Sequence, residues 1–314
     1  MIASMNTPAS KSTEPSAPIG PAPAQTLAVP AEPSPSPLAT GAQGATAAEA
    51  IARALAEPAR TAEEAVARPL ILVVHASVGS GHRSAANAIA EALEEAGEAA
   101  RAAGDDNSLE ARSEVRVLDI LDFGRIVFDG DKTASMFTGW TRPFYDLTWR
   151  YTLTGRLLWG GGTIWARLMY PKFTEYVRRL RPAAIVATHI TAANVAVSAR
   201  MITGQSFPIV CVPTDYEAEG LWPHLHTDLF CVANESMAET LRPRRVPEDR
   251  ILITGIPASP AFSRTYDRAK AREAFGLPQD KQVVLALAGA KLPQPYVHFR
   301  AAIGEMLPFM HAMP

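Results

Sequence analysis

The sequence predicts an α/β fold in which a parallel sheet is covered by helices on both faces. Three observations carry this expectation. Short apolar runs of strand length alternate with helix-period segments from residue 70 onward. The first of these runs, Leu70–His75, passes through Gly79-Ser80-Gly81 into a helical pattern that starts at His82. Strand, glycine turn and helix is how such folds bring backbone N–H groups and a helix N-terminus against an anionic ligand. Finally, 47% of the 314 residues are hydrophobic, enough for one large or two ordinary cores.

Taken in order, residues 1–45 are rich in Pro, Ala, Ser and Thr and short of large apolar side chains. They cannot bury enough surface to offset the entropy of ordering, and read as a disordered tail. The Ala/Glu/Arg-rich stretch up to residue 67 reads as a weak helix interrupted by Pro58. Folded structure is expected to begin near Pro69. The strands are expected at Leu70–His75, Val115–Leu118, Ala184–Thr188, Ile209–Val212, Leu229–Val232 and Ile251–Thr254. Helices are expected over His82–Ala96, parts of Thr133–Leu180, Ala192–Ile202 and Glu235–Leu241. In the first of them Ala85, Ile89 and Leu93 recur at helical spacing and mark a core-facing stripe. A second unit is expected after Gly255-Ile256-Pro257, with a helix at Tyr266–Phe275, a buried strand at Gln282–Gly289 and a helix-like Val297–Met310. One strand and one helix do not make a domain. The chain is either cut short or docks its last fifty or so residues on the first domain.

Composition excludes several classes. A formal net charge of −2 gives no support for nucleic-acid binding. Cys211 and Cys231 sit inside apolar runs and read as small core residues in a reducing compartment, neither a disulfide nor metal ligands. No apolar run is long enough to span a membrane, and the N-terminus lacks a signal-peptide pattern. The expectation is a cytoplasmic protein.

The glycine turn Gly79-Ser80-Gly81-His82-Arg83-Ser84 has only two glycines of the dinucleotide fingerprint, with Ser84 at the third position and Asp119 loosely placed as the acid. It lacks the Lys-Ser/Thr end of a phosphate-binding P-loop. On its own it reads equally well as a tight turn with a histidine at a helix start and as a catalytic turn.

The same loop, GSGHRSAANAIAEAL, resembles the Gly-x-Gly-His-Arg-x-x-Ala signature of the monogalactosyldiacylglycerol synthases and processive diacylglycerol glucosyltransferases. Pro213-Thr214-Asp215-Tyr216, with Trp222 beyond it, is similar to that family's Thr-Asp-aromatic block. Cys231-Val232-Ala233-Asn234-Glu235, Ile253-Thr254-Gly255-Ile256-Pro257 and Pro260-Ala261-Phe262 resemble a third passage, and Thr188-His189 a Thr-His pair at an earlier strand end. The blocks follow family order from Leu70 to Phe262.

The resemblance implies the two-domain GT-B fold. A Rossmann-like N-terminal domain over residues 68–257 would bind the lipid acceptor, and residues 258–314 would begin the sugar-nucleotide domain. It implies transfer of glucose or galactose from UDP-hexose to diacylglycerol at the inner face of the cell membrane, with no cofactor and no metal. His82 would be the general base, since deprotonating a hydroxyl as it attacks an anomeric carbon needs a base that is uncharged near neutrality. Gly79, Gly81, Arg83, His189 and Asp215 would line the acceptor site. The chain departs from the pattern at Glu219, where many members carry a histidine, and it lacks the glycine-rich donor loop after Gly289-Ala290-Lys291. As it stands it is expected to lack the donor site.

Residues 133–170 hold four of the five tryptophans, and four arginines against the single acid Asp146. Trp149, Arg150, Arg156, Trp159 and Trp165 suit the headgroup layer of an anionic bilayer; an aromatic core between helices is the competing reading. Two rivals stand beside the leading one. One is transfer of N-acetylglucosamine from its UDP derivative to a polyprenyl-linked acceptor. The other is a non-catalytic lipid-binding module.

Overall fold

The computed structural model describes residues 47–77, 80–125, 164–216 and 221–283, all within one unit spanning residues 42–314. Two helices, α1 (Ala47–Ala56) and α2 (Ala62–Ala67), precede the first strand, β1 (Leu70–His75). The long α3 (Gly81–Ala102), the single turn α4 (Leu109–Arg112) and β2 (Glu114–Asp119) follow. Beyond residue 164 come α5 (Pro171–Leu180), β3 (Ala184–Ala187), α6 (Ile190–Thr203), β4 (Ile209–Cys211) and β5 (Leu229–Val232). The last are α7 (Glu235–Leu241), β6 (Ile251–Ile253) and α8 (Arg268–Ala274).

The six strands form one all-parallel sheet in the order β2-β1-β3-β4-β5-β6. β1 has β2 on one side and β3 on the other, with His75 opposite Asp119 at its carboxyl end. The chain therefore progresses outward in both directions from β1. This reversal opens a crevice at the carboxyl ends of β1 and β3, where ligands of open α/β sheets collect.

Side-chain alternation along β1 divides the core. Leu70, Leu72 and Val74 join the main cluster with Phe173, Tyr176 and Leu180 of α5 and Val195 of α6. Ile71 and Val73 face a second cluster with Ala86, Ile89 and Leu93 of α3. The inner residues of α3 are small: Ala85, Ala86, Ala88, Ala90 and Gly97 are its buried ones. This lets the helix lie close against the sheet and fixes its first turn beside the end of β1. α6 buries eight consecutive residues, Ala192–Ala199, as a helix enclosed by its neighbours must. It stops at Gly204, whose φ of 66° is the left-handed conformation that suits glycine beyond a helix end.

The strands match the sequence reading to within a residue at each end. α3 is longer than expected and runs on through the Ala-rich residues 97–102. The packed structure also reaches back before residue 68, where the sequence reading began the domain. Ile51 of α1 is buried in the main core with Leu55 packed against it, and Glu57 pairs with Arg116 of β2 at 2.8 Å. Residues 1–46, the strand expected at Gln282–Gly289 from residue 284 onward, and the helix expected at Val297–Met310 lie outside the described residues.

Candidate functional site

Three strand ends converge on His82. β1 ends at His75 and leads to Ser77. Asp119, at the end of β2, accepts hydrogen bonds from the Ser77 backbone N–H (3.3 Å) and hydroxyl. It also accepts one from the Leu121 N–H (3.0 Å). The acid that a dinucleotide fold would turn to a ribose is thus engaged in tying down the glycine turn. α3 then starts with Ser80 making no side-chain cap and with no acid in its first turn, which leaves its leading N–H groups open. A Cβ on Gly81 would meet no atom within 4 Å, so the space beside it is open. Gly79 lies outside the described residues.

His82 is half-buried. Its Nδ1 lies 2.9 Å from the Thr188 carbonyl and 3.0 Å from the Thr214 hydroxyl. A carbonyl oxygen only accepts, so the neutral ring carries its proton on Nδ1 and leaves Nε2 with the lone pair. Thr188 returns the contact: its hydroxyl donates to the His82 carbonyl at 2.9 Å.

His189 caps α6, with Nδ1 accepting the Thr191 N–H at 3.1 Å. A ring nitrogen that accepts is unprotonated, so this ring is uncharged, and its edge-to-face contact with His82 has centroids 4.6 Å apart. Crowding by protein, then His82 and His75, pushes its pKa down to about 3. His75 is lowered too, by burial first, with Arg83 and His82 adding to it and Asp119 opposing. Its Nδ1 is buried without a hydrogen-bond partner among the described residues. His75 thus joins the two expected histidines. The signal was its place as the last residue of β1 before the turn.

Arg83 is exposed on the first turn of α3. Asp215 is exposed past the end of β4, and the side chain of its block that reaches His82 is Thr214. Among the described residues no three His, Cys, Asp or Glu side chains are placed to hold a metal ion. No described helix is long and apolar enough to cross a membrane. Trp165 lies in the helical residues 164–169, partly exposed, with its ring 5.4 Å from that of the buried Tyr170. Ile164 and Leu168 beside it are exposed. Trp149, Arg150, Arg156 and Trp159 fall outside the described residues.

The family model for monogalactosyldiacylglycerol (MGDG) synthase matches residues 82–258, more than half of the chain. The chain belongs to the MGDG synthase family. The matched span begins at His82 and includes Thr188, His189, Thr214 and Asp215. Among relatives, the chain is 28% identical over 127 residues to the processive diacylglycerol beta-glucosyltransferase of Bacillus licheniformis, covering 40% of this chain and 33% of that protein. It is 32% identical over 88 residues to the enzyme of that name from Bacillus cytotoxicus, covering 28% and 23%. For that from Bacillus subtilis the figures are 31% over 91 residues, 29% and 24%. The match thus spans a third or less of the length of these relatives. Among solved structures, the apo form of the lipopolysaccharide outer core galactosyltransferase WaaB aligns with a TM-score of 0.33 at 12% identity, over 59% of this chain and 44% of that one. That likeness is too slight to argue from.

Proposed function

We propose that this member of the MGDG synthase family carries the acceptor-binding domain of a glycolipid hexosyltransferase that moves a hexosyl group from UDP-glucose or UDP-galactose to diacylglycerol. The observation that carries the reading is the placement of His82. It sits on the first turn of a helix at the crevice between β1 and β3, with Nδ1 committed to the Thr188 carbonyl and Nε2 free to take a proton. Family membership and the names of the Bacillus relatives supply the substrate class.

In this reading the diacylglycerol hydroxyl oxygen attacks the anomeric carbon of the hexose. A carbon–oxygen bond forms there as the bond to the diphosphate breaks, and Nε2 of His82 takes the hydroxyl proton. UDP departs with the bonding electrons. Gly81 keeps the approach clear, and Arg83 and Asp215 flank it from α3 and the end of β4. Residues 68–257, with α1 packed into their core, form the acceptor domain, and residues 258–314 open the sugar-nucleotide domain of a GT-B pair. The reaction takes place at an anionic membrane surface on the cytoplasmic side. The exposed Ile164, Trp165 and Leu168, with Arg167 among them, support that contact.

The test is transfer from radiolabelled UDP-glucose and UDP-galactose to diacylglycerol in anionic liposomes. Labelled glycolipid is expected from a form that carries a complete sugar-nucleotide domain, and its loss by about a hundredfold or more in His82→Gln of that form. Product from UDP-N-acetylglucosamine on a polyprenyl-linked acceptor instead would move the chain to that chemistry. Liposome binding with no transfer at all would make it a lipid-binding module.

A further inference from the structure

We infer that Thr214 is a positioning residue, the second oxygen that grips the Nδ1–H of His82. The inference rests on the reading of His82 as the base and deepens it. Two oxygens from different strand ends meet the same ring nitrogen: the Thr188 carbonyl after β3 at 2.9 Å and the Thr214 hydroxyl after β4 at 3.0 Å. The carbonyl settles which nitrogen holds the proton. The hydroxyl accepts a share of it in a three-centre bond and holds the ring from its other side.

The second grip matters most when Nε2 takes up a proton. The ring is then an imidazolium, and its Nδ1–H bonds become charge-assisted and stronger. In many catalytic sites a carboxylate meets that N–H. Among the described residues the neighbouring groups do not supply one. His189 stands 4.6 Å away with an uncharged ring. His75 faces from the end of β1 and Arg83, a cation, from α3. Asp119 is held by Ser77 and Leu121. Asp215 is exposed and has no hydrogen bond to the described residues. Two neutral oxygens do the carboxylate's work, and Thr214 is one of them.

The experiment follows the His82 Nδ1–H proton by NMR in the full chain, its resonance identified by its absence from His82→Gln. Thr214→Val keeps the shape and removes the oxygen; Thr214→Ser keeps the oxygen. The resonance is expected in the parent and in the Ser variant, with exchange against water about tenfold faster in the Val variant. Where transfer is measurable, kcat falls by about the same factor in the Val variant, KM for UDP-hexose stays put, and Ser restores the rate. Should Thr214→Val fail to fold, Thr214→Ala serves in its place. Exchange at the parent rate in the oxygen-free variant overturns the inference, as does a parent chain with no such resonance. Faster exchange with no transfer even from a form that carries a complete sugar-nucleotide domain leaves Thr214 where it is assigned and removes the transferase reading instead.

Discussion

Thr188 and His82 hold each other at two points. The Thr188 hydroxyl donates to the backbone carbonyl of His82, while the Nδ1–H of His82 donates to the backbone carbonyl of Thr188. The strand end and the helix start, 106 residues apart in sequence, are thereby fixed in position and the imidazole in orientation. Thr188 is fully buried, and Thr188→Val keeps its shape while deleting one of the two bonds. We expect a loss of about 1 kcal/mol in unfolding free energy, read from urea denaturation, with the strand bond from Thr188 N–H to the Val74 carbonyl retained.

Acid should weaken this fold before its carboxylates titrate. His189 and His75 have folded pKa values pushed below the ordinary 6.5, mainly by burial. The unfolded chain then binds more protons, so stability is fully present above pH 6.5 and drains away as pH falls toward about 3. Between pH 6.5 and 5.5 His189 removes about 1 kcal/mol, and His75 acts in the same direction. In His189→Asn the cap on α6 is preserved, since asparagine also accepts from the helix N–H groups, but one titrating group is gone. Its urea midpoint should fall less steeply over that interval. An unchanged slope would refute the buried-neutral assignment of His189.

Asp119 anchors the glycine turn and caps the short helical turn that follows β2. Asp119→Ala removes its bonds to Ser77 and the Leu121 N–H at once. The expected cost is about 2 kcal/mol, with faster amide exchange at Ser77. Ser77→Ala should cost about half as much and leave the cap in place.

Gly97 looks like an easy site for helix improvement, since alanine in a helix interior gains up to about 1 kcal/mol over glycine. The packing decides otherwise. A Cβ there would lie 2.8 Å from the backbone carbonyl oxygen of Glu110, an atom that moves only if α4 moves. Overpacking of this kind costs about 1–3 kcal/mol, so Gly97→Ala should lower the thermal midpoint.

For the membrane contact, Ile164→Ser with Leu168→Ser should weaken binding to anionic liposomes, measured by co-sedimentation, without changing the unfolding midpoint. Both side chains are exposed, so neither contributes to the core. Binding that survives the pair would take these residues out of the contact.

Much of this was legible because it is local. An apolar run bounded by Pro69 and a glycine turn is a buried strand, and a helix-period stripe after it is α3. These place His82 and, by the same logic, His189 at strand ends. The rest depends on distance along the chain. The grip on His82 joins positions 106 and 132 residues away, and no periodicity announces it. Thr214 stands beside Asp215 in the Thr-Asp-aromatic block, and nothing local marks the hydroxyl rather than the carboxylate as the group that reaches the histidine. The weak helix broken at Pro58 is also local and is found as α1 and α2, but that Ile51 and Leu55 carry α1 into the main core is not visible in so alanine-rich a stretch.

Three imidazoles meet at this crevice, and among the described residues no carboxylate hydrogen-bonds any of them. Such a pocket tolerates a positive charge briefly and singly. If His82 collects a proton in each catalytic cycle, that proton has to be relayed to bulk water before the next alcohol can be activated. Slowing of turnover in heavy water would show that this relay sets the pace.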